Sequence, residues 1–178
     1  MATEAAIMTT NGETTLTGER ADLLAGLRKS RHFLRFTLRD LTDGQASRRT
    51  TVSELCLGGL IKHVTEVERR WAGFIVEGPS AMETDDPEEW AEQFRMGEGE
   101  TVAGLLEAYD EVVRRTEEIV GTLPDLDATW PLPERPWFEP GARWSARTVL
   151  LQIIAETSQH AGHADIIREA LDGAKSMG

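Results

Sequence analysis

Apolar residues recur at intervals of three and four in four separate stretches of this 178-residue chain, and this spacing constrains the fold more than any other feature. Side chains spaced in this way lie along one face of an α-helix. A strand would instead alternate apolar and polar residues, and no stretch does so convincingly. The sequence therefore predicts an all-α fold, a four-helix bundle in which four amphipathic helices bury their apolar faces against one another.

Local signals suggest where these helices begin and end. Residues 51–54 have the sequence Thr-Val-Ser-Glu, which is the spacing of a capping box. Ser145 is a suitable N-cap for the last helix, and Gly121 and Gly173 are suitable left-handed C-caps. The sequence Thr-Asp-Gly at 42–44 predicts a turn. We predict helices over residues 19–41, 51–77, 101–120 and 145–171.

Two long connections, over residues 79–99 and 121–144, join the predicted helices. Five prolines forbid a regular helix in the second connection, and a short helical turn is predicted near 88–94 in the first. Connections of about 20 residues exceed those of simple up-down bundles, which suggests a functional role for them. The aromatic residues of the second connection either fasten it to the bundle, which we favour, or wall a ligand pocket; they include Trp130, Trp137 and Trp144.

The N-terminal residues 1–16 are small and polar, so we predict a flexible tail followed by a single domain over residues 17–174. Acidic residues outnumber Lys plus Arg by 31 to 19, a net charge of -12 that repels nucleic acid and anionic membrane surfaces. No apolar run approaches the roughly 20 residues that span a bilayer. The single Cys56 excludes an internal disulfide. With no evident signal peptide, these features indicate a cytoplasmic protein.

Three residues could hold a metal ion. Glu156 and His160 are four residues apart, so they lie one above the other on the last helix. His63 lies beside the apolar stripe of the second helix. Two imidazoles and a carboxylate would form a three-ligand site with open positions, as in catalytic zinc sites, and nickel, manganese or iron would also accept these ligands. The spacing alone also fits an ordinary hydrogen bond on the helix, and it does not establish that the two helices meet.

Other polar residues have weaker claims to a role. Glu66, one turn from His63, would close the metal site if it became a fourth ligand. His163 and Asp165 could orient a ligand, although a surface position is the more common outcome for each. Cys56 is expected to be a small buried residue and His32 to face solvent. The sequence assigns no catalytic residue.

Two segments resemble the DinB/YfiT-like superfamily: residues 60–71 resemble its second helix and residues 156–169 its last helix. The resemblance extends over about 19–173 and implies a four-helix bundle that holds one divalent metal ion. The glutamate at the first position of the last pair matches the mycothiol-dependent maleylpyruvate isomerase branch. On this resemblance, His63, Glu156 and His160 are the expected metal ligands, with zinc the first choice of ion.

The resemblance also implies thiol chemistry, because characterised members act with mycothiol, bacillithiol or glutathione. The expected function is that of a metal-dependent thiol S-transferase or isomerase, whose partners are a low-molecular-weight thiol and a small electrophilic substrate. One alternative is a non-catalytic metal-binding stress-response bundle of the same family. Another is a ligand-binding or dimerisation bundle that requires no metal. A homodimer is compatible with each of these.

Overall fold

The computed structural model of the protein describes residues 8–10, 13–82 and 91–176. The predicted all-α four-helix bundle is confirmed, and two long connections join its helices. The four long helices are α1 Glu19–Phe36, α3 Leu57–Glu77, α4 Val102–Thr122 and α5 Ala146–Asp172. Between α1 and α3 lies the single-turn helix α2 Asp43–Ala46, and a 3-10 turn, Gly78–Met82, follows α3.

Two short strand pairs accompany the helices, a feature that the sequence analysis did not predict. Strand β1 Met8–Thr10 pairs antiparallel with β2 Glu13–Thr15, and β3 Thr129–Pro131 pairs antiparallel with β4 Arg143–Ser145. Each strand has three residues, too few for an alternating pattern to be evident. The β3–β4 pair folds the proline-rich connection into a hairpin that leads directly into α5. The predicted tail and domain limits remain predictions.

The core of the bundle consists of two apolar clusters. Helix α5 packs along α1 and α3, and α3 also packs along α4. The first cluster surrounds the C-terminal half of α3, and the second surrounds its N-terminal half. Members of the first cluster include Leu27, Trp71, Phe74 and Ile153. Members of the second include Leu34, Leu60, Val64 and Ala161.

A buried polar layer lies between the two apolar clusters. Arg31 of α1 donates from Nε to Glu68 Oε2 of α3 at 3.2 Å, and a second guanidinium nitrogen bonds Glu68 Oε1. Both side chains are almost entirely buried, with 4% of Arg31 and 0% of Glu68 exposed. Thr157 of α5 is buried in the corresponding position along its helix. A buried ion pair of this kind fixes the relative register of α1 and α3, since either charge would be costly alone.

Three of the predicted helix ends are wrong. Helix α3 begins at Leu57, not near Thr51, because the Cys56 sulfur accepts the Gly59 N–H at 3.3 Å and caps it. Glu54 pairs with Arg49 at 3.1 Å and so does not complete a capping box over 51–54. Helix α1 ends at Phe36, and α4 continues through Gly121 to Thr122.

The ends of the last helix are as predicted. Ser145 Oγ accepts the Thr148 N–H at 3.2 Å, and Gly173 has the left-handed conformation of a C-cap with a φ of 80°. The predicted turn at 42–44 opens the single-turn helix α2, where Thr42 and Gln45 form a capping box. Of the short helical turn predicted near 88–94, residues 88–90 lie outside the described residues, and residues 91–92 are helical.

As we favoured, Trp130 and Trp144 fasten the second connection to the bundle, but Trp137 does not, since it is 72% exposed and its ring contact is with Phe138 of the same connection. Trp144 stacks on Trp71 at a centroid distance of 5.0 Å, and Phe138 meets Trp144 edge-on at 5.7 Å. Trp130 donates from Nε1 to the Ile75 carbonyl at 3.1 Å. Trp71, the residue on which Trp144 stacks, lies about 12 Å along α3 from His63, at 1.5 Å per residue. None of the helices in the described part is long and apolar enough to cross a membrane.

Candidate metal centre

The three residues predicted to bind metal come together in the structure. His63 projects from α3, and Glu156 and His160 project from adjacent turns of α5, which packs directly on α3. One potential ligand atom from each residue lies within 4.8 Å of the other two. Sequence spacing alone could place Glu156 and His160 side by side. The addition of His63 follows from the packing of α3 against α5.

The imidazole of His63 is buried and neutral at physiological pH. Only 3% of the residue is exposed, and Phe94 stacks on the ring at a centroid distance of 4.2 Å. Burial, and secondarily the proximity of His160, lower the pKa of His63 to about 4. A neutral imidazole is the form that binds a metal ion, so His63 is available as a ligand at pH 7 without losing a proton.

Glu156 and His160 form a partly buried carboxylate–imidazole pair. Glu156 Oε2 is 3.6 Å from His160 Nε2, and Gln152 donates from Nε2 to the other carboxylate oxygen, Oε1, at 3.1 Å. The adjacent imidazole of His160 is the main cause that lowers the pKa of Glu156. The carboxylate is therefore ionised at neutral pH. It supplies the negative charge that a divalent cation requires.

The donor set and the spacing fit a divalent ion. Imidazole nitrogen and carboxylate oxygen are common ligands of zinc, at about 2.0–2.2 Å. Two such ligands on a tetrahedral ion are about 3.4 Å apart by this geometry. The 3.6 Å between Glu156 Oε2 and His160 Nε2 is already close to that separation. His63 would reach the same separation through side-chain movement of at most about 1.4 Å, the difference between 4.8 Å and about 3.4 Å.

Glu66 does not act as a fourth ligand in this arrangement. Its carboxylate accepts a hydrogen bond from Arg70 Nε at 2.6 Å and pairs with Arg69 on its other oxygen. Within the described residues, the group close enough to share an ion consists of His63, Glu156 and His160 alone. The remaining coordination positions would therefore be open to a small molecule.

The other histidines occupy different environments. His163 is partly buried, and its Nδ1 lies 3.4 Å from His160 Nδ1, so it contacts the centre without belonging to the three-residue group. His32 faces solvent, as predicted. Asp165 Oδ1 accepts the Ser176 N–H at 2.5 Å, so one of its carboxylate oxygens bonds the C-terminal segment. Cys56 is buried, as predicted, but it also caps α3.

Residues 91–96 of the first long connection cover His63, and the sequence analysis did not assign this role to them. Gln93 Oε1 lies 3.3 Å from His63 Nδ1, and Phe94 stacks on the ring. No helical periodicity links this irregular segment to α3, so its position could not be read from spacing. Gln152 could have been identified, because it precedes Glu156 by four residues on the same helix.

A cavity of about 360 Å³ lies beside this centre, between α3, α4 and the first connection. Gln93 lines it and also contacts His63. Arg70 lines it too, and its charge is close enough to contribute to the lowered pKa of His63. The other lining residues are Lys62, Thr65, Glu66, Arg69, Glu100, Leu105 and Ala108.

The fold and the convergent His–Glu–His group define a class: helical bundles with a candidate single-metal centre between two helices. The chain belongs to the mycothiol S-transferase family, because the sequence model of that family matches residues 22–173. The predicted DinB/YfiT-like relationship is thereby confirmed.

One solved structure similar to this chain is a conserved protein from Enterococcus faecalis. It has a TM-score of 0.65 and 13% sequence identity, and the match covers 89% of this chain and 99% of that one. At this identity the likeness establishes the fold alone. No curated protein matches the chain.

Proposed function

We propose that the protein is a metal-dependent thiol S-transferase or isomerase that uses a mycothiol-type thiol and acts on a small electrophile. His63, Glu156 and His160 are the proposed ligands of one divalent ion, with zinc the first choice. The observation that carries this proposal is the convergence of two imidazoles and an ionised carboxylate, from two helices, on one point. Membership of the mycothiol S-transferase family supports the choice of thiol.

Only three protein residues are placed to bind the proposed ion, and this number favours a catalytic site over a purely structural one. Structural zinc sites are usually closed by four protein ligands, whereas catalytic sites keep a position for water or substrate. Arg69 and Arg70 occupy the carboxylate of Glu66, which removes the nearest acidic candidate for closing the site. This favours the transferase or isomerase over the stress-response bundle with a structural ion.

A bound divalent cation would supply one chemical function, which is to lower the pKa of a coordinating thiol so that the nucleophilic thiolate forms at neutral pH. The residues of the chain perform the remaining tasks. Glu156 would offset part of the charge of the ion, and the imidazoles of His63 and His160 would complete the ligand set. Phe94 shields one face of His63 from water. The thiolate sulfur would attack the electrophilic carbon of the substrate. The electron pair of the bond broken there would leave with the displaced group or, for an activated double bond, move to the neighbouring atom, which then takes up a proton.

The cavity lies on the Gln93 side of His63, and none of the three proposed ligands lines it, so we propose it only as a site for the distal part of the thiol. Its volume of about 360 Å³ is within the usual range for small-molecule sites. Its charged residues are already paired, since Lys62 and Glu100 are 2.9 Å apart and Arg70 and Glu66 are 2.6 Å apart. The paired groups offer both donors and acceptors to a polar ligand. We propose a cytoplasmic location from the single cysteine.

A titration of cobalt-substituted protein with thiols tests this function. Cobalt(II) shows a sulfur-to-metal charge-transfer band only when a thiolate becomes a ligand. We expect mycothiol to produce this band, with bacillithiol and glutathione as comparisons, and we expect His160→Ala to lose it. The matched control is His32→Ala, which removes an exposed imidazole and should behave as wild type. A protein that binds cobalt but gives no band with any of the three thiols contradicts the transferase proposal.

A further inference from the structure

The proposed ligands share a feature that concerns the atoms facing away from their common centre. Each of the three has a hydrogen-bonding partner on its outer atom. His63 Nδ1 lies 3.3 Å from Gln93 Oε1, and Glu156 Oε1 accepts from Gln152 Nε2 at 3.1 Å. His160 Nδ1 lies 3.4 Å from His163 Nδ1.

These contacts determine which atoms remain to face an ion. A carbonyl oxygen only accepts hydrogen bonds, so His63 Nδ1 donates to Gln93, and the lone pair of His63 is on Nε2. On Glu156, Gln152 holds Oε1, and Oε2 is the oxygen beside His160 Nε2. On His160, Nδ1 faces His163 Nδ1, and Nε2 is the atom beside Glu156 Oε2. The three inner atoms are therefore two Nε2 nitrogens and one Oε2 oxygen.

We infer that Gln93, Gln152 and His163 are positioning residues that fix the tautomers and orientations of the proposed ligands, with Gln93 as the principal one. This inference rests on the proposed metal centre. Gln93 is chosen because it belongs to the first connection, outside the long helices, yet only 7% of it is exposed. Burying the amide of Gln93 costs free energy unless the amide makes a hydrogen bond, such as the one with His63.

Gly59 allows the first connection to pack closely on α3, and this close packing places Gln93 beside His63. Gly59 is one helical turn before His63 on α3, and a Cβ at Gly59 would overlap the carbonyl oxygen of Phe94. The missing side chain therefore lets the backbone of residues 94–95 lie directly on α3. The Cys56 sulfur, 3.9 Å from the same carbonyl, flanks this contact. Because the connection packs closely on α3, the Gln93 amide contacts one edge of the His63 imidazole and the Phe94 ring contacts its face.

Outer partners of metal-binding histidines commonly raise metal affinity by 10- to 100-fold. We therefore expect Gln93→Leu, which keeps the side-chain volume but removes the acceptor, to weaken zinc binding by about that factor. Gln93→Glu keeps an acceptor at the same place and should bind zinc at least as tightly as wild type. The control is Gln159→Leu, an exposed glutamine on α5, which should leave zinc affinity unchanged.

A second readout uses the metal-free protein. Nitrogen-15 correlation spectra distinguish the two neutral tautomers of a histidine. We expect His63 in wild type to be the Nδ1–H tautomer, and in Gln93→Leu to shift toward the Nε2–H tautomer that a free histidine side chain prefers. A merely structural role for Gln93 would leave the tautomer unchanged.

The outcomes separate the two proposals. Zinc affinity is measured by competition with a chelator. If wild type binds no zinc in this assay, the proposed metal centre is refuted, while the tautomer measurement still decides the role of Gln93. If wild type binds zinc and Gln93→Leu matches it in both affinity and tautomer, the positioning role is overturned and the metal centre stands. Unfolding of Gln93→Leu is monitored by circular dichroism, and Gln93→Glu provides the folded comparison.

Discussion

Acid should destabilise the metal-free protein partly through His63, and the size of this effect follows from its burial. In the unfolded chain the imidazole has its ordinary pKa of 6.5, whereas in the folded protein burial lowers the pKa to about 4. Between these values the unfolded state binds the extra proton, so the free energy of unfolding rises with pH and falls as pH drops below 6.5. The contribution lost by pH 5 is about 2 kcal/mol, and by pH 4 about 3 kcal/mol.

Urea unfolding of metal-free wild type and His63→Leu at pH 7.5, 6 and 5 measures this contribution. Carboxylates titrate in both proteins, so the difference between the two free energies isolates His63. We expect that difference to shift by about 2 kcal/mol in favour of the variant between pH 7.5 and pH 5. Parallel pH dependence of the two proteins would refute the conclusion that His63 is buried and neutral.

Two other substitutions test the packing around the centre. Arg31→Met should lower the free energy of unfolding by about 3–5 kcal/mol, because it leaves Glu68 buried without its partner. Arg31→Met combined with Glu68→Leu should recover most of that loss in urea unfolding, and an additive double variant would contradict the account. Gly59→Ala should displace the connection over His63 and weaken zinc binding about 10-fold or more in a competition assay, as loss of Gln93 does. Gly162→Ala is the control, because a Cβ at this exposed position of α5 meets no atom within 4 Å, and equal zinc affinities of the two glycine variants would contradict the role of Gly59.

The four helices were predictable because each carries apolar residues at helical spacing along one face, even where a buried polar residue such as Ser30 or Glu68 interrupts the stripe. The pair Glu156 and His160 was predictable for the same reason, since a fixed helical spacing sets their distance. The N-cap at Ser145 and the C-cap at Gly173 were also predicted correctly, from the residue types at those two positions. At Thr51 a capping pattern was misleading, because Glu54 pairs with Arg49 and the chain enters α3 only at Cys56.

The parts that sequence could not predict depend on long-range packing of irregular chain. The contact of His63 with the α5 pair requires α3 and α5 to be neighbours, which no local spacing establishes. Gln93 and Phe94 have no periodicity to assign them to a face, and their position depends on the absence of a side chain at Gly59. The inward orientation of Glu68 was equally unforeseen, because a glutamate in an amphipathic helix is usually solvated.

Metal content is the most direct test of the central claim that residues of α3 and α5 jointly hold one ion. Elemental analysis would be made on wild type and on His63→Ala, Glu156→Ala and His160→Ala, each loaded with zinc and passed through a desalting column, with His32→Ala as control. We expect about one zinc per chain in wild type and in the control, and much less in each of the three variants. Full zinc retention by His63→Ala, or an empty wild-type protein, would contradict the claim.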